Sequence, residues 1–357
     1  MGNVSTSMGG TGVALRKSAW GLYYNPALLA SDPRSKFSFS AGFWVAKNDI
    51  NPLLELKFSA TPDEVSKIFS SLKEPRINLT TQMGVVAQIG GFHHQKDVAL
   101  PDEYGRLITH RIEEDLSAFA IGAFAASQTY FGIQDGGNFG YIAQSFGIAL
   151  MEIPLGYAYQ LNTTFGDFNF GIALKYMRAV FDFSNFTGSV YDFDLKLPNF
   201  LKMSPSQNFG LDLGFLYSIA NFHLGLSAKN INVPHFDGSG RKLKLSPSLR
   251  MGLAYDFLER YTVTMDADLL PQSFSEFSPK SHYVGLGFMG DYNFVDFRLG
   301  FGTDVLNFGD SRISAGFNVF GILDVVGEMG FNFAKKEGSK LAMPTNFGFK
   351  IGSTFAF

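Results

Sequence analysis

Pro344-Thr345-Asn346-Phe347-Gly348-Phe349-Lys350-Ile351-Gly352-Ser353-Thr354-Phe355-Ala356-Phe357 ends the chain, and its reading decides the fold. In an extended chain successive side chains point to opposite sides, so Phe347, Phe349, Ile351, Ser353, Phe355 and Phe357 share one face. Gly348, Lys350, Gly352, Thr354 and Ala356 share the other. One face is aromatic, and the other is small or charged. A soluble sandwich would show a similar alternation with its apolar face turned inward, so the rest of the chain must decide which way this face points.

Working back from the terminus, the same period of two recurs. Phe209, Leu211, Leu213 and Phe215 form one apolar face, and further faces carry Phe222, Leu224 and Leu226, then Leu249, Met251, Leu253 and Tyr255, then Tyr261, Val263 and Met265. The opposite faces hold Asp212, His223, Lys229, Arg250, Asp256, Asp266, Asp268 and Arg298. Charges of both signs on one face need partners and water. Upstream, Phe168, Phe170, Ile172, Leu174 and Tyr176 oppose Asn169, Gly171, Ala173 and Lys175, and Phe37, Phe39, Ala41 and Phe43 oppose Ser38, Ser40, Gly42 and Trp44. Strand patterns also run from about Leu79 to Phe92, Leu116 to Gln128 and Ser145 to Leu161. This gives about fourteen strands.

Short turns at Phe165 to Asp167, Ile219 to Asn221, Phe257 to Arg260 and Tyr292 to Asn293 alternate with longer connections at Asn185 to Gln207, Pro234 to Leu245 and Leu270 to Lys280. Short turns at one end and long loops at the other are the habit of up-and-down membrane barrels. The segment holding His94, Lys96, Asp97, Asp102, Glu103 and Arg106 reads as a solvated loop. One short helix is expected from Thr61, an N-cap followed by Pro62 and Glu64, with Val65, Ile68, Phe69 and Leu72 along one face.

No linker divides the 357 residues, so residues 36–357 read as one all-β transmembrane barrel. Only 17% of residues are charged, against about 25% in a typical soluble domain. The longest apolar runs are about half of what a membrane-crossing helix needs, which leaves strands to do the crossing. The chain has no cysteine, which excludes disulfides and thiolate metal sites. A net charge of −3, with scattered Lys and Arg, gives no reason to expect nucleic acid as a partner. No cofactor motif is apparent, and His93 and His94 would point to opposite faces of a strand, a poor metal pair. An enzyme would need a nucleophile, a base and an orienting group. His223 and Ser227 offer no such motif, so catalysis is not expected.

Residues 1–35 break the pattern. Met8 to Ala30 has no alternation; Gly9, Gly10 and Gly12 permit tight backbone turns, Asn25-Pro26 marks a turn, and Trp20, Leu22, Tyr23, Tyr24 and Leu28 supply apolar surface. Such a segment packs into something. Fourteen strands enclose more space than their own side chains fill, so the segment is expected to plug the lumen. The inward charges Lys175, Asp212, Lys229, Arg250, Asp266, Asp268 and Arg298 are expected to pair with one another there.

The terminal strand, ending in Phe355 and Phe357, resembles the signal by which bacterial outer-membrane barrels are recognised by their assembly machinery. The motifs Gly9-Gly10-Thr11-Gly12-Val13-Ala14 and Tyr23-Tyr24-Asn25-Pro26-Ala27-Leu28-Leu29-Ala30 resemble the N-terminal hatch of FadL-type outer-membrane channels, and more narrowly the TraF-like branch from plasmid-transfer operons. Gly171 to Tyr176, Gly210 to Gly214, Lys229-Asn230-Ile231 and Pro247 to Asp256 fit the same branch. The resemblance implies a fourteen-stranded barrel with an N-terminal hatch in the bacterial outer membrane, its signal peptide removed. It implies contact with membrane lipid and passage of a hydrophobic small molecule past Asn25, Pro26 and Ala27, with sideways release near a kink in the third strand, where Gly122 is the candidate. Leu28 stands where those channels often carry glycine. The alternative reading is an accessory barrel that carries no solute and meets a protein partner in a secretion or conjugation machine.

Overall fold

A computed structural model describes residues 1–48, 76–101, 104, 106–135, 141–188, 203–238, 240–272, 280–292, 294–331, 333–335 and 342–357. The terminal strand closes a ring. Asn346–Ala356 pairs with Lys36–Asn48 on one side and with Leu323–Gly330 on the other, all antiparallel.

In chain order the first strands are β1 (Lys36–Asn48), β2 (Arg76–Pro101), β3 (Leu107–Asp135), β4 (Tyr141–Thr163), β5 (Gly166–Gly188), β6 (Ser206–Ile219) and β7 (Phe222–Lys229). A small hairpin follows, β8 (His235–Gly238) and β9 (Arg241–Lys244). Then come β10 (Ser248–Phe257), β11 (Tyr261–Asp268), β12 (Tyr283–Tyr292), β13 (Val295–Asp304), β14 (Asn307–Val319) and β15 (Leu323–Gly330). A second small hairpin, β16 (Phe333–Lys335) with β17 (Ala342–Pro344), precedes β18 (Asn346–Ala356). Omitting the two small hairpins, fourteen strands form one closed antiparallel barrel in which chain neighbours are ring neighbours. Closure leaves no backbone edge toward lipid within the ring, the requirement a bilayer imposes. With strands about 4.8 Å apart and tilted about 40°, the backbone ring is about 28 Å across.

The alternation now has a direction. Phe347, Phe349, Ile351 and Phe355 are exposed on the outer surface with Phe37, Phe39 and Phe43, whereas Lys350, Asp212, Asp266 and Arg298 are buried. An aromatic outside and a charged inside are inverted from a soluble barrel and suit a lipid surround.

Several elements depart from the sequence reading. The segment expected as a polar loop is mostly strand: β2 runs on through His94, Lys96 and Asp97 to Pro101, and β3 begins at Leu107. A ladder is bonded through the backbone, so polar side chains there do not mark where pairing ends. Likewise β5 extends through Asn185 to Gly188, and β6 starts at Ser206, which shortens the connection expected at Asn185 to Gln207; residues 189–202 lie outside the described residues. Pro234 to Leu245 holds the β8–β9 hairpin rather than an open loop. The helix expected from Thr61 lies outside the described residues.

Phe357 donates its backbone N–H to the Ser35 carbonyl at 3.0 Å, and its side chain is 77% exposed. Deleting it removes one hydrogen bond at the ring's edge and no lumen contact. The refolded deletion variant should therefore still migrate differently before and after boiling in detergent gels, while less of it reaches the outer membrane in cells. Equal yield in the membrane would remove the assembly role of the terminal aromatic.

Candidate functional site: the lumen and its N-terminal segment

Residues 1–31 lie inside the ring, and their path follows from local sequence. Gly9 and Gly10 adopt φ of +68° and +82°, and two short helices, α1 (Asn3–Ser7) and α2 (Gly21–Tyr24), are joined by irregular chain. Asn25, extended, caps a 3-10 turn over Pro26–Ser31: its Oδ1 accepts the Ala27 N–H at 3.1 Å, and Pro26 sits at the first position, where no N–H is needed. The same amide donates to the Val13 carbonyl at 2.8 Å and the Phe215 carbonyl at 3.0 Å. Asn25 thus ties two stretches of the segment to each other and to β6.

Contacts with the wall are distributed around the ring. Asn3 donates to the Asp324 carbonyl of β15 at 2.8 Å, Gly9 N–H to Ser314 of β14 at 3.1 Å, and Gln88 of β2 to the Leu29 carbonyl at 2.8 Å. Asp266 of β11 accepts the N–H groups of Gly12 and Val13 at 2.8 and 3.0 Å. Trp20, Leu22, Tyr24 and Leu29 pack in one apolar cluster with Val86 and Phe124, and Ala27 and Leu28 in another with Leu216 and Ala254. Trp20 and Leu28 are each 1% exposed. Close approach needs small wall residues: a Cβ on Gly171 would overlap Pro26 and Ala27, and one on Gly214 would overlap Asn25. The Gly171 and Gly214 patches therefore match the Asn-Pro-Ala motif because they are its seat.

Where the segment leaves for β1, Asp32 is bound by Arg34 at 2.7 Å and by Lys36 at 3.0 Å. Burial alone would raise the Asp32 carboxyl, but the two cations outweigh it and hold it well below the usual carboxylate range.

Of the charges picked from the sequence, Lys175 lies 3.0 Å from Asp212 and 3.1 Å from Glu152, Arg250 2.7 Å from Asp268, and Arg298 2.6 Å from Asp324 and 2.8 Å from Asp296. Two others serve the segment: Asp266 as above, and Lys229, whose Nζ stands 3.8 Å over the Tyr23 ring. Sequence reasoning passed over Glu152, Asp296, Arg312, Asp324 and Glu328, and it assigned the face of Lys350 without counting it among the lumen charges. Strand parity could have found them, as it placed Lys350 with Gly348 and Gly352 opposite the phenylalanines.

Above Tyr23 and Tyr24 is a cavity of about 260 Å³. Its wall includes Trp44, Tyr283, Gln82, Arg250, Arg312, Lys350 and one carboxylate, Glu328. Arg312 stacks over Trp44 and Tyr283 at 5.5 and 5.8 Å, and Arg250 over Tyr283 at 4.9 Å. Among the described residues Lys350 donates to two neutral oxygens, Thr6 Oγ1 and Gln82 Oε1, each at 2.8 Å. The cavity is cationic and aromatic. A separate apolar cluster of Phe146, Ile148, Met177 and Phe181 is covered by Phe236 and Leu243 of the β8–β9 hairpin.

One seam crosses the wall beside the segment. Pairing of β3 with β4 runs to Ile121 opposite Leu155 and resumes at Phe124 opposite Glu152, skipping Gly122 and Ala123. Pro154 lies in the skipped stretch of β4 and has no N–H to donate. Phe124 packs there against Tyr23 and Trp20, with ring centres 5.3 and 5.9 Å away.

The residues weighed for catalysis separate. His223 meets Asp256 at 3.3 Å, while Ser227 lies four residues further along β7, about 13 Å away. His94 bonds Ser117 at 2.8 Å.

A family model described as "F plasmid transfer operon, TraF, protein" matches residues 47–268. Among solved structures, a deltaS2 mutant of the TodX monoaromatic hydrocarbon channel aligns with a TM-score of 0.57 at 14% identity, covering 100% of this chain and 97% of that one. The CymD monoaromatic hydrocarbon channel gives 0.57 at 15% identity, with coverage of 100% and 97%. The Pseudomonas putida toluene transporter TodX gives 0.54 at 14%, again covering 100% and 97%. No curated protein sequence matches this chain. At these identities the structural likeness is one of fold, a closed barrel, and the family match bears out the TraF-like resemblance read from the sequence.

Proposed function

The chain belongs to the TraF family of the F plasmid transfer operon, and we propose that it is an outer-membrane channel for passive uptake of hydrophobic or amphipathic small molecules, with residues 1–35 as its gate. The observation that carries this reading is that the 260 Å³ cavity is floored by Tyr23 and Tyr24 of the N-terminal segment. A ligand seated there touches the segment itself, so its binding energy acts directly on the segment's position. An apolar cavity of about 150 Å³ holds benzene, so this one has room for a substituted ring or a short chain. Its cations favour an amphiphile with an anionic end. The solved relatives by fold carry names that speak of monoaromatic hydrocarbons and toluene, which supports the apolar half of the reading. The seam at Gly122 and Pro154 would offer such a molecule a sideways exit, sparing it an aqueous one. A second reading, an accessory barrel of a transfer machine, is favoured by the family's description.

Two probes of one shape test the proposal, 4-butylbenzoate and butylbenzene. Both should bind the purified barrel, the benzoate more tightly. Replacing Arg312 and Lys350 together by Met should weaken the benzoate by about tenfold or more, the loss of one or two charge-assisted hydrogen bonds, and leave butylbenzene nearly unchanged. If neither probe binds and no apolar molecule co-purifies, the accessory-barrel reading replaces uptake.

A further inference from the structure

The β2–β3 hairpin outruns the barrel on the short-turn side. Pairing of β1 with β2 ends at Lys36 opposite Gln88, and pairing of β3 with β4 ends at Leu116 opposite Gln160. Beyond those points β2 and β3 continue with each other alone, from Phe92 opposite Ser117 to Pro101 opposite Leu107. Past the His94–Asp115 pair the ribbon projects a further seven residues, about 23 Å. Among the described residues no strand pairs with either outer edge of this ribbon.

Both departures are built. On the β4 side the Asp115 carboxylate accepts the Asn162 N–H at 3.1 Å and the Tyr159 hydroxyl at 2.5 Å, taking a bond that a continuing strand would otherwise make. On β2, just past its last pair with β1 at Gln88, the pairing with β3 shifts register between Ile89 and Phe92, with Gly91 at φ +78°. A Cβ on Gly91 would stand 2.5 Å from the Pro33 carbonyl oxygen, so the bulge lies against the chain that leads from the N-terminal segment into β1. A bulge of this kind re-aims a strand, here away from the line of β1, while its pairing with β3 continues.

From this geometry we infer that the projecting β2–β3 ribbon is a docking edge for an extended segment of a second, different protein, which adds to it as a strand on the side where the N-terminal segment joins the wall. An unpaired strand edge is a row of N–H and C=O groups, and the chemistry that matches it is another polypeptide backbone. The sequence of the ribbon guards it against indiscriminate pairing with Lys96, Asp97, Pro101, Arg111, Glu113 and Glu114. A second copy of this chain fits poorly. Two barrels in one membrane related by a twofold along the membrane normal would bring identical edges together only in parallel. Joining β2 of one to β3 of the next would make an open chain rather than a closed pair. A separate protein carries no such constraint.

The test uses the whole protein. Backbone amide exchange is pulse-labelled in outer-membrane vesicles from the native host and, separately, in purified detergent-solubilised barrel. In the vesicles, alternate amides of residues 92–101 should exchange roughly tenfold or more slowly than in detergent, because an added strand bonds every second residue. A proline scan over Lys96 to Leu100 should abolish that protection at alternate positions while the barrel's gel mobility shift is kept. A shortened variant, with residues 95–114 replaced by a two-residue turn joining His94 to Asp115, should also fold and should bind the butylbenzoate probe as before; this separates the docking edge from the uptake reading. Equal exchange in vesicles and detergent would overturn the inference. So would protection without alternation, the mark of a lipid or glycan cover, and so would protection that appears in purified protein as its concentration rises, the mark of a second copy.

Discussion

Deleting Met8 to Ala30 should turn a barrel nearly closed to ions into an open one, with single-channel conductance in planar bilayers higher by roughly tenfold or more. The reason is geometric. A ring about 28 Å across keeps a wide lumen after its inward side chains are counted, and the N-terminal segment fills it with Trp20, Leu22, Leu28 and Leu29, each buried to within 2%. The wall itself does not depend on the segment, because its ladder is closed by bonds between strands. Asp266, left without the Gly12 and Val13 amides, would be hydrated by the water that enters. The variant should therefore keep its mobility shift on boiling. Equal conductance with and without the segment would end the gating reading and leave a plug that only fills space.

How far the sequence could be read depends on the range of the interaction. The terminal strand, from Asn346 to Phe357, is legible because its partners impose only a parity, and parity is local. The same rule would have placed Arg312 and Glu328 inside beside Lys350. What parity cannot give is pairing. Arg298 and Asp324 are 26 residues apart and lie on β13 and β15, which are neighbours of one strand, β14, and not of each other. Glu152 joins Lys175 and Asp212 across β4, β5 and β6. Asp266 read as one more lumen charge, because its role depends on the path of a segment more than 250 positions away in sequence. Strand length was misread for a different reason. His94, Lys96 and Asp97 are polar yet paired with β3, because hydrogen-bonded pairing is made by the backbone and does not require an apolar surround. The N-terminal segment was legible as something that packs, and its seat was present in the sequence as Gly171 and Gly214, though nothing local told which residues they faced.

Within that segment the Asn-Pro pair should prove unequal. Asn25→Ala removes two donated bonds and one accepted bond from a fully buried position, leaving the Val13 and Phe215 carbonyls and the Ala27 N–H without their partner. At about 1–3 kcal/mol for each unsatisfied buried group, and with the Phe215 carbonyl only partly buried, the loss is about 4 kcal/mol. It falls on the seated position of the segment and not on the ring, so the ratio of open to closed barrels should rise by about a thousandfold, at 1.4 kcal/mol per factor of ten. Single-channel records of the variant should show frequent openings of the size seen in the Met8 to Ala30 deletion. Pro26→Ala keeps every one of these bonds and gives up only the preset φ at the first position of the turn, a change of about 0.4–1 kcal/mol. Its openings should be only a few times more frequent than in the native protein. Asn25→Asp is the sharper control, since it keeps the acceptor for Ala27 and replaces the donating amide with an oxygen facing two carbonyls. It should open like the alanine variant. An Asn25→Asp barrel as quiet as the native one would mean that the Val13 and Phe215 bonds do not hold the gate, and that the apolar packing of Trp20 and Leu28 does.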